Sequence, residues 1–135
     1  MVRPFVLAAL WLAFQEHAEF TQWMKAADRA SKTLQKPDTR TGPEAVRSAE
    51  TLGGVYEDMI AFWRRNNAPD AVKWSEQGKA AAVELAAAAH AGDSPRAAEA
   101  WKALDATCGA CHDAYRLELP DGRYAIRWTG RRQKK

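Results

Sequence analysis

Residues 94–117 read SPRAAEAWKALDATCGACHDAYRL, and this stretch decides the fold. Ser94 followed by Pro95 is a typical start of a helix. Apolar residues then recur at spacings of three and four, which predicts one amphipathic helix that ends near Leu117. Its apolar face comprises Ala97, Trp101, Leu104, Cys108, Cys111 and Tyr115. A helix with one apolar face has to pack against other elements.

Three upstream segments have the same helical spacing. We predict helices over residues 16–36, 43–65 and 70–91, with Pro37 and Pro69 in the loops that separate them. Apolar residues do not alternate with polar ones, so strands are disfavoured. Four amphipathic segments with short connections predict an all-α fold, an antiparallel four-helix bundle.

Composition agrees with a single globular domain. The chain has 135 residues, of which 47% are hydrophobic and 27% are charged, as in ordinary globular proteins. No apolar run reaches the roughly 18 residues that a membrane-spanning helix needs, so we expect no integral membrane span. Two cysteines are too few for a disulfide-rich scaffold.

The first fifteen residues are predicted to be an export signal. Arg3 precedes an apolar run over residues 6–14, which fits a short secretory signal. The alternative is that this run is the buried start of the first helix. We therefore expect a bacterial periplasmic protein whose mature domain covers residues 16–117.

Residues 118–135 are predicted to form a basic extension. Residues 117–135 hold six basic and two acidic side chains, a net charge of +4, whereas the whole chain has +3. The basic side chains are Arg123, Arg127, Arg131, Arg132, Lys134 and Lys135. We favour a solvated tail over one that binds an acidic partner or an anionic membrane, and we expect no nucleic acid. Pro120-Asp121-Gly122 predicts a small hairpin or a loose strap.

The two cysteines lie in Cys108-Gly109-Ala110-Cys111-His112. Cys-x-x-Cys-His is the attachment site of a c-type haem. On a helix, positions three and four apart lie on one side, so both thiols can bond to the porphyrin edge while His112 binds the iron. A redox dithiol would need a βαβ pattern, which is missing, and a structural disulfide would leave His112 unexplained. We predict one haem c, covalently bound through two thioethers.

The last helix, residues 91–116, resembles the C-terminal helix of the cytochrome c′ family. These are four-helix-bundle c-type cytochromes with the haem near the end of the chain. The resemblance covers about residues 16–117 and is specific only in the last helix. It implies that Arg116, which matches the family pattern Cys-x-x-Cys-His-x-x-x-Arg, lies near the haem, and a solvated arginine is the equal alternative. It also leaves a homodimer open, since family members are often dimers.

The second axial ligand of the iron decides the function. In an antiparallel bundle Met24, near the start of the first helix, lies at the same end as His112. The Trp-Met-Lys sequence around Met24 resembles the early-helix methionines that bind iron in low-spin relatives, which implies that Met24 is a ligand. The alternatives are a core methionine, Met59 or His17 as the ligand, or no sixth ligand. His90 belongs to the opposite end of the bundle.

With two protein ligands, the predicted function is single-electron transfer with redox partner proteins, and not enzymatic catalysis. The alternative is a five-coordinate cytochrome c′ that binds nitric oxide or carbon monoxide. High-spin members carry an arginine four residues before an apolar distal residue, whereas Phe20 stands four residues before Met24 here. A peroxidase-like enzyme lacks support because no distal histidine–arginine pair is evident.

Overall fold

Four helices form the bundle. A computed structural model describes the backbone of residues 4–128 and the side chains of residues 17–128. The helices are α1 (Pro4–Gln35), α2 (Pro43–Arg65), α3 (Pro69–His90) and α4 (Ser94–Tyr115), and a 3-10 turn (Pro37–Thr39) follows α1. The predicted all-α four-helix bundle is confirmed, and α2, α3 and α4 begin and end within two residues of their predicted bounds.

The first helix begins earlier than predicted. It starts at Pro4 and not near residue 16, because residues 5–15 are rich in Ala and Leu and contain no helix-breaking residue. A helical backbone here is compatible with an export signal and with a first helix, so the signal over residues 1–15 stays a prediction. Within the described residues, none of the helices has the length and apolar character needed to cross a bilayer.

The helices pack in chain order, and one seam of the bundle stays open. α1 packs on α2, α2 on α3 and α3 on α4, whereas α4 makes no comparable packing with α1 over the described residues. The core between the packed pairs contains large, fully buried side chains: Leu34, Leu52, Phe62, Trp63, Leu85 and Leu104. Over the described residues the bundle is therefore closed on three sides, and its least packed seam lies between α1 and α4.

A small hairpin follows α4. Strands β1 (Arg116–Glu118) and β2 (Tyr124–Ile126) pair antiparallel. The turn between them contains Gly122, whose φ of 81° suits glycine. Of the two predicted forms, the hairpin is the one observed. Four of the predicted basic residues lie outside the described part: Arg131, Arg132, Lys134 and Lys135.

Candidate functional site

Helix α4 presents the two thiols near its end. Its N-terminus is capped by Asp93, whose Oδ1 accepts a hydrogen bond from the Arg96 amide at 3.1 Å. Cys108 and Cys111 are half-buried and are not joined in a disulfide. Burial raises the pKa of Cys111 to about 12, and it also raises the pKa of Cys108. Both side chains are therefore neutral thiols near neutral pH.

His112 follows directly and is half-buried. Burial, and then the positive charge of Arg116, lower the pKa of the His112 imidazole. A neutral imidazole keeps the nitrogen lone pair with which it can bind iron. Arg116 itself is exposed, and its guanidinium lies 4.2 Å from the ring centroid of Tyr124 in β2. Its predicted contact with haem stays a prediction.

A buried tyrosine from α2 contacts the first thiol. Tyr56 Oη lies 2.7 Å from Thr107 Oγ1 and 3.2 Å from Cys108 Sγ. Burial is the largest cause of the raised pKa of Tyr56, and nearby Cys108 adds to it, so the phenol stays protonated. Helical spacing in the sequence predicts only that Tyr56 lies within the helix over residues 43–65. Nothing local in the sequence links it to a cysteine 52 positions away.

Aromatic rings connect three helices at one end of the bundle. The ring centroid of Phe20 on α1 lies 5.4 Å from that of Trp63 on α2. The ring centroid of Trp63 lies 4.6 Å from that of Tyr115 on α4. These three residues mark a common level near the end of α4.

Met24 and the haem motif lie at a similar depth in the bundle, by residue count from Phe20 and Tyr115. An α-helix rises about 1.5 Å per residue. Met24 follows Phe20 by four residues on α1, so it lies roughly 6 Å further into the bundle. On α4, which runs the other way, Cys111 precedes Tyr115 by four residues and lies at the same depth, with His112 next to it. Met24 is half-buried and packs against the core.

A contact in the structure checks this counting. Tyr56 precedes Trp63 by seven residues on α2, and Cys108 precedes Tyr115 by seven on α4. Both residues should therefore lie roughly 10 Å further into the bundle than the rings of Trp63 and Tyr115. Their side chains are in hydrogen-bond contact, as the count along these two helices requires.

The other candidate ligands are placed less favourably. Met59 has a similar depth, but it is buried on α2, which packs on both α1 and α3. His17 is exposed near the aromatic end, and His90 is exposed at the end of α3. Met24 and His17 both lie on α1, across the open seam from His112, and of the two it is Met24 that is half-buried against the core.

The residues present fit a covalently bound haem. Two free thiols and one neutral imidazole lie within five consecutive positions of α4. The seam next to them is the side of the bundle that the described helices leave unpacked. A porphyrin is an apolar ring system with polar substituents, which suits a half-buried position of this kind.

Comparisons with known proteins agree with this site. A family model described as cytochrome c′ matches residues 56–116, from Tyr56 to the first residue of the hairpin. The cytochrome c′ of Pararhodospirillum photometricum is 31% identical over 103 residues, which cover 65% of this chain and 82% of the relative. No solved structure matches the chain. From the matched sequence, the four-helix bundle and the thiol–imidazole motif, we conclude that the chain belongs to the cytochrome c′ family of haem proteins.

Proposed function

We propose that this protein is an electron carrier and not an enzyme. It holds one haem c through thioethers at Cys108 and Cys111, with His112 and Met24 as the two axial ligands. The proposal is supported by the similar depth of Met24 and His112, counted from the Phe20–Trp63–Tyr115 ring contacts along two helices that pack little on each other over the described residues. When bound, the haem supplies an iron centre that takes up and releases one electron.

The side chains have separate tasks in this proposal. His112 is neutral, because burial lowers its pKa, and provides a nitrogen ligand. Met24 provides a sulfur ligand that keeps small molecules from the other face and raises the reduction potential. The rings of Phe20, Trp63 and Tyr115 close the nearby end of the bundle against water. A haem iron held in such a buried site would gain or lose an electron with little rearrangement of the surrounding protein.

Gas binding is the second candidate. Membership of the cytochrome c′ family favours it, since binding of small gases is the usual role there. In that case Met24 packs in the core without binding iron, and the five-coordinate iron takes nitric oxide or carbon monoxide. The two candidates differ in one bond, between Met24 and the iron.

The location and the partners belong to the same proposal. Residues 1–15 act as an export signal, and the mature protein exchanges electrons with redox proteins in the bacterial periplasm. The apolar run after Arg3 supports export. Sequencing the N-terminus of protein purified from an exporting host tests it: a start near residue 16 supports the signal, and an intact Met1 contradicts it.

Spectroscopy tests the ligand set. Intact mass and the pyridine haemochrome of the purified protein give the number of haems and their attachment. The oxidised protein should show the weak far-red band of sulfur-ligated ferric haem and should not bind carbon monoxide when reduced. Met24→Ala should lose the band and bind carbon monoxide.

Met59→Leu is the matched control and should keep the wild-type spectrum. A wild-type protein that is high-spin and binds carbon monoxide readily supports the gas-binding candidate and contradicts Met24 ligation. A band that persists in Met24→Ala also contradicts it.

A further inference from the structure

We infer that Tyr56 is a positioning residue for haem attachment, and that its hydroxyl, held by Thr107, fixes the Cys108 thiol in the place where it bonds to the porphyrin. The inference rests on the covalent attachment proposed above. It concerns the thioether at Cys108 alone: attachment there depends on the Tyr56 hydroxyl, and attachment at Cys111 does not.

The direction of each hydrogen bond among Thr107, Tyr56 and Cys108 follows because each side chain has a single proton to donate. The Thr107 hydroxyl donates to the Leu104 carbonyl oxygen at 2.7 Å, and a carbonyl can only accept. Thr107 Oγ1 therefore accepts the Tyr56 hydroxyl proton at 2.7 Å. Tyr56 Oη, whose own proton is engaged, then accepts from the Cys108 thiol at 3.2 Å. The Cys108 thiol is thus the first donor in a series of three hydrogen bonds that ends at a backbone carbonyl of α4.

Tyr56 is itself held firmly. Its side chain is only 4% exposed, and its ring lies against Gly78 of α3, where an added Cβ would come within 2.2 Å of Cε1. α2 supplies the hydroxyl, α3 supplies the space for the ring, and α4 supplies the thiol. The Tyr56 contact that orients the Cys108 side chain therefore depends on three helices.

The second cysteine has no such support. Over residues 17–128 the Cys111 thiol makes no side-chain hydrogen bond, although it is half-buried like Cys108. Burial, Cys108 and Asp70 raise its pKa, and no hydroxyl group contributes. Removal of the Tyr56 hydroxyl should therefore affect attachment at Cys108 and leave attachment at Cys111 unchanged.

The bond-forming step needs only the thiol and a vinyl group on the porphyrin edge. The S–H bond and the π bond of the vinyl group break, and one S–C bond and one C–H bond form. Atoms and electrons balance without an oxidant or a reductant. Tyr56 forms no bond in this step: it keeps the thiol in one rotamer before the addition.

The test uses the full chain, expressed in cells that attach haem c. Tyr56→Phe removes one oxygen atom and keeps the ring against Gly78. Tyr124→Phe, at an exposed tyrosine of the hairpin, is the matched control. Peptide mass mapping gives the bonded fraction at each cysteine, and the pyridine haemochrome band moves to longer wavelength when one vinyl group stays free.

We expect the bonded-to-free ratio at Cys108 to fall about fivefold in Tyr56→Phe, the factor that one net hydrogen bond of average strength represents. The ratio at Cys111 and both ratios in Tyr124→Phe should match the wild type. Thr107→Val, which leaves the ring and its hydroxyl but removes the acceptor, should lower the Cys108 ratio in the same selective way.

Two results would overturn the inference. One is wild-type attachment at Cys108 in both Tyr56→Phe and Thr107→Val. The other is an equal loss at both cysteines, which indicates a weakened bundle and no positioning role. A wild-type chain that itself carries no haem contradicts the proposed function, so the failure of the two ideas can be told apart.

Discussion

Gly78 of α3 lies directly against the ring of Tyr56 on α2, so closely that no other residue fits at position 78 without displacement of the ring. A small residue on the inward face of a helix allows close approach of a neighbouring helix or leaves space for another group. At Gly78 the space is filled by a tyrosine. This contact fixes the distance between α2 and α3 at the depth of Cys108.

Gly78→Ala should destabilise the protein. A Cβ 2.2 Å from the ring forces Tyr56 to move in a packed core, which typically costs about 1–3 kcal/mol. Gly54→Ala is the control, because no atom lies within 4 Å of its Cβ position and alanine is the better helix former by about 0.5–1 kcal/mol. Chemical denaturation should give the two variants opposite signs, and equal effects would contradict the packing argument.

Trp128→Ala should weaken the attachment of the hairpin. The Trp128 ring lies 6.2 Å from that of Phe62 and 5.9 Å from that of Trp63, centroid to centroid. The side chain is 47% exposed, so we expect a loss of about 1–2 kcal/mol in unfolding free energy. Leu117→Ala, at an exposed residue of β1, should change stability by less than about 0.5 kcal/mol. A Trp128 variant as stable as the wild type would show that its ring contacts contribute nothing.

Tyr115→Phe should loosen the end of α4 from the start of α3. The Tyr115 hydroxyl donates to Asp70 Oδ1 at 2.5 Å, and a hydrogen bond to a charged group contributes about 1.5–3 kcal/mol. The ring contact with Trp63 stays in the variant, so the change isolates the hydroxyl. Thermal unfolding of this variant beside Tyr124→Phe measures the difference. Identical midpoints for the two variants would rule out a contribution from this bond.

The exposed pair between α3 and α4 should titrate in a defined direction. Hydrogen bonds from Arg96 lower the pKa of the Glu84 carboxyl, and one of them joins Arg96 Nη2 to Glu84 Oε2 at 3.0 Å. The folded state therefore binds fewer protons here than the unfolded state near the ordinary carboxyl pKa. The stability from this pair is complete above that pKa and is lost as the pH falls through the lowered value.

An NMR titration of Glu84 checks this direction. Its midpoint should lie below that of an unperturbed glutamate, and Arg96→Gln should move it upward. A midpoint at the ordinary value in the wild type would show that the pair does not form in solution.

Local signals were sufficient for most of the fold. Pro43 and Pro69 lie at the first positions of α2 and α3, and Pro95 lies in the first turn of α4, so the bounds of these helices could be predicted from proline and apolar spacing alone. The start of α1 could not, because helix-forming residues continue without interruption toward Pro4. The Pro-Asp-Gly turn indicated the hairpin, although its contact through Trp128 depends on α2.

The candidate site also contains residues that could be found from the sequence and one that could not. Cys108, Cys111 and His112 form a contiguous motif, so they could be found without a structure. The antiparallel order of the helices predicts a shared depth for Met24 and His112, and ligation by Met24 stays a prediction. Tyr56 could not be assigned, because its contact with Cys108 joins two helices and depends on the space left by Gly78 on a third.

The open seam between α1 and α4 has a consequence for biogenesis. Over the described residues, α1 and α4 do not form the fourth interface that a complete four-helix core would have. A haem held at this seam, as proposed above, would supply the missing contacts and so stabilise the native state. We expect cellular proteases to degrade the chain without haem faster than the chain with haem. Turnover would then remove the molecules that failed to acquire it.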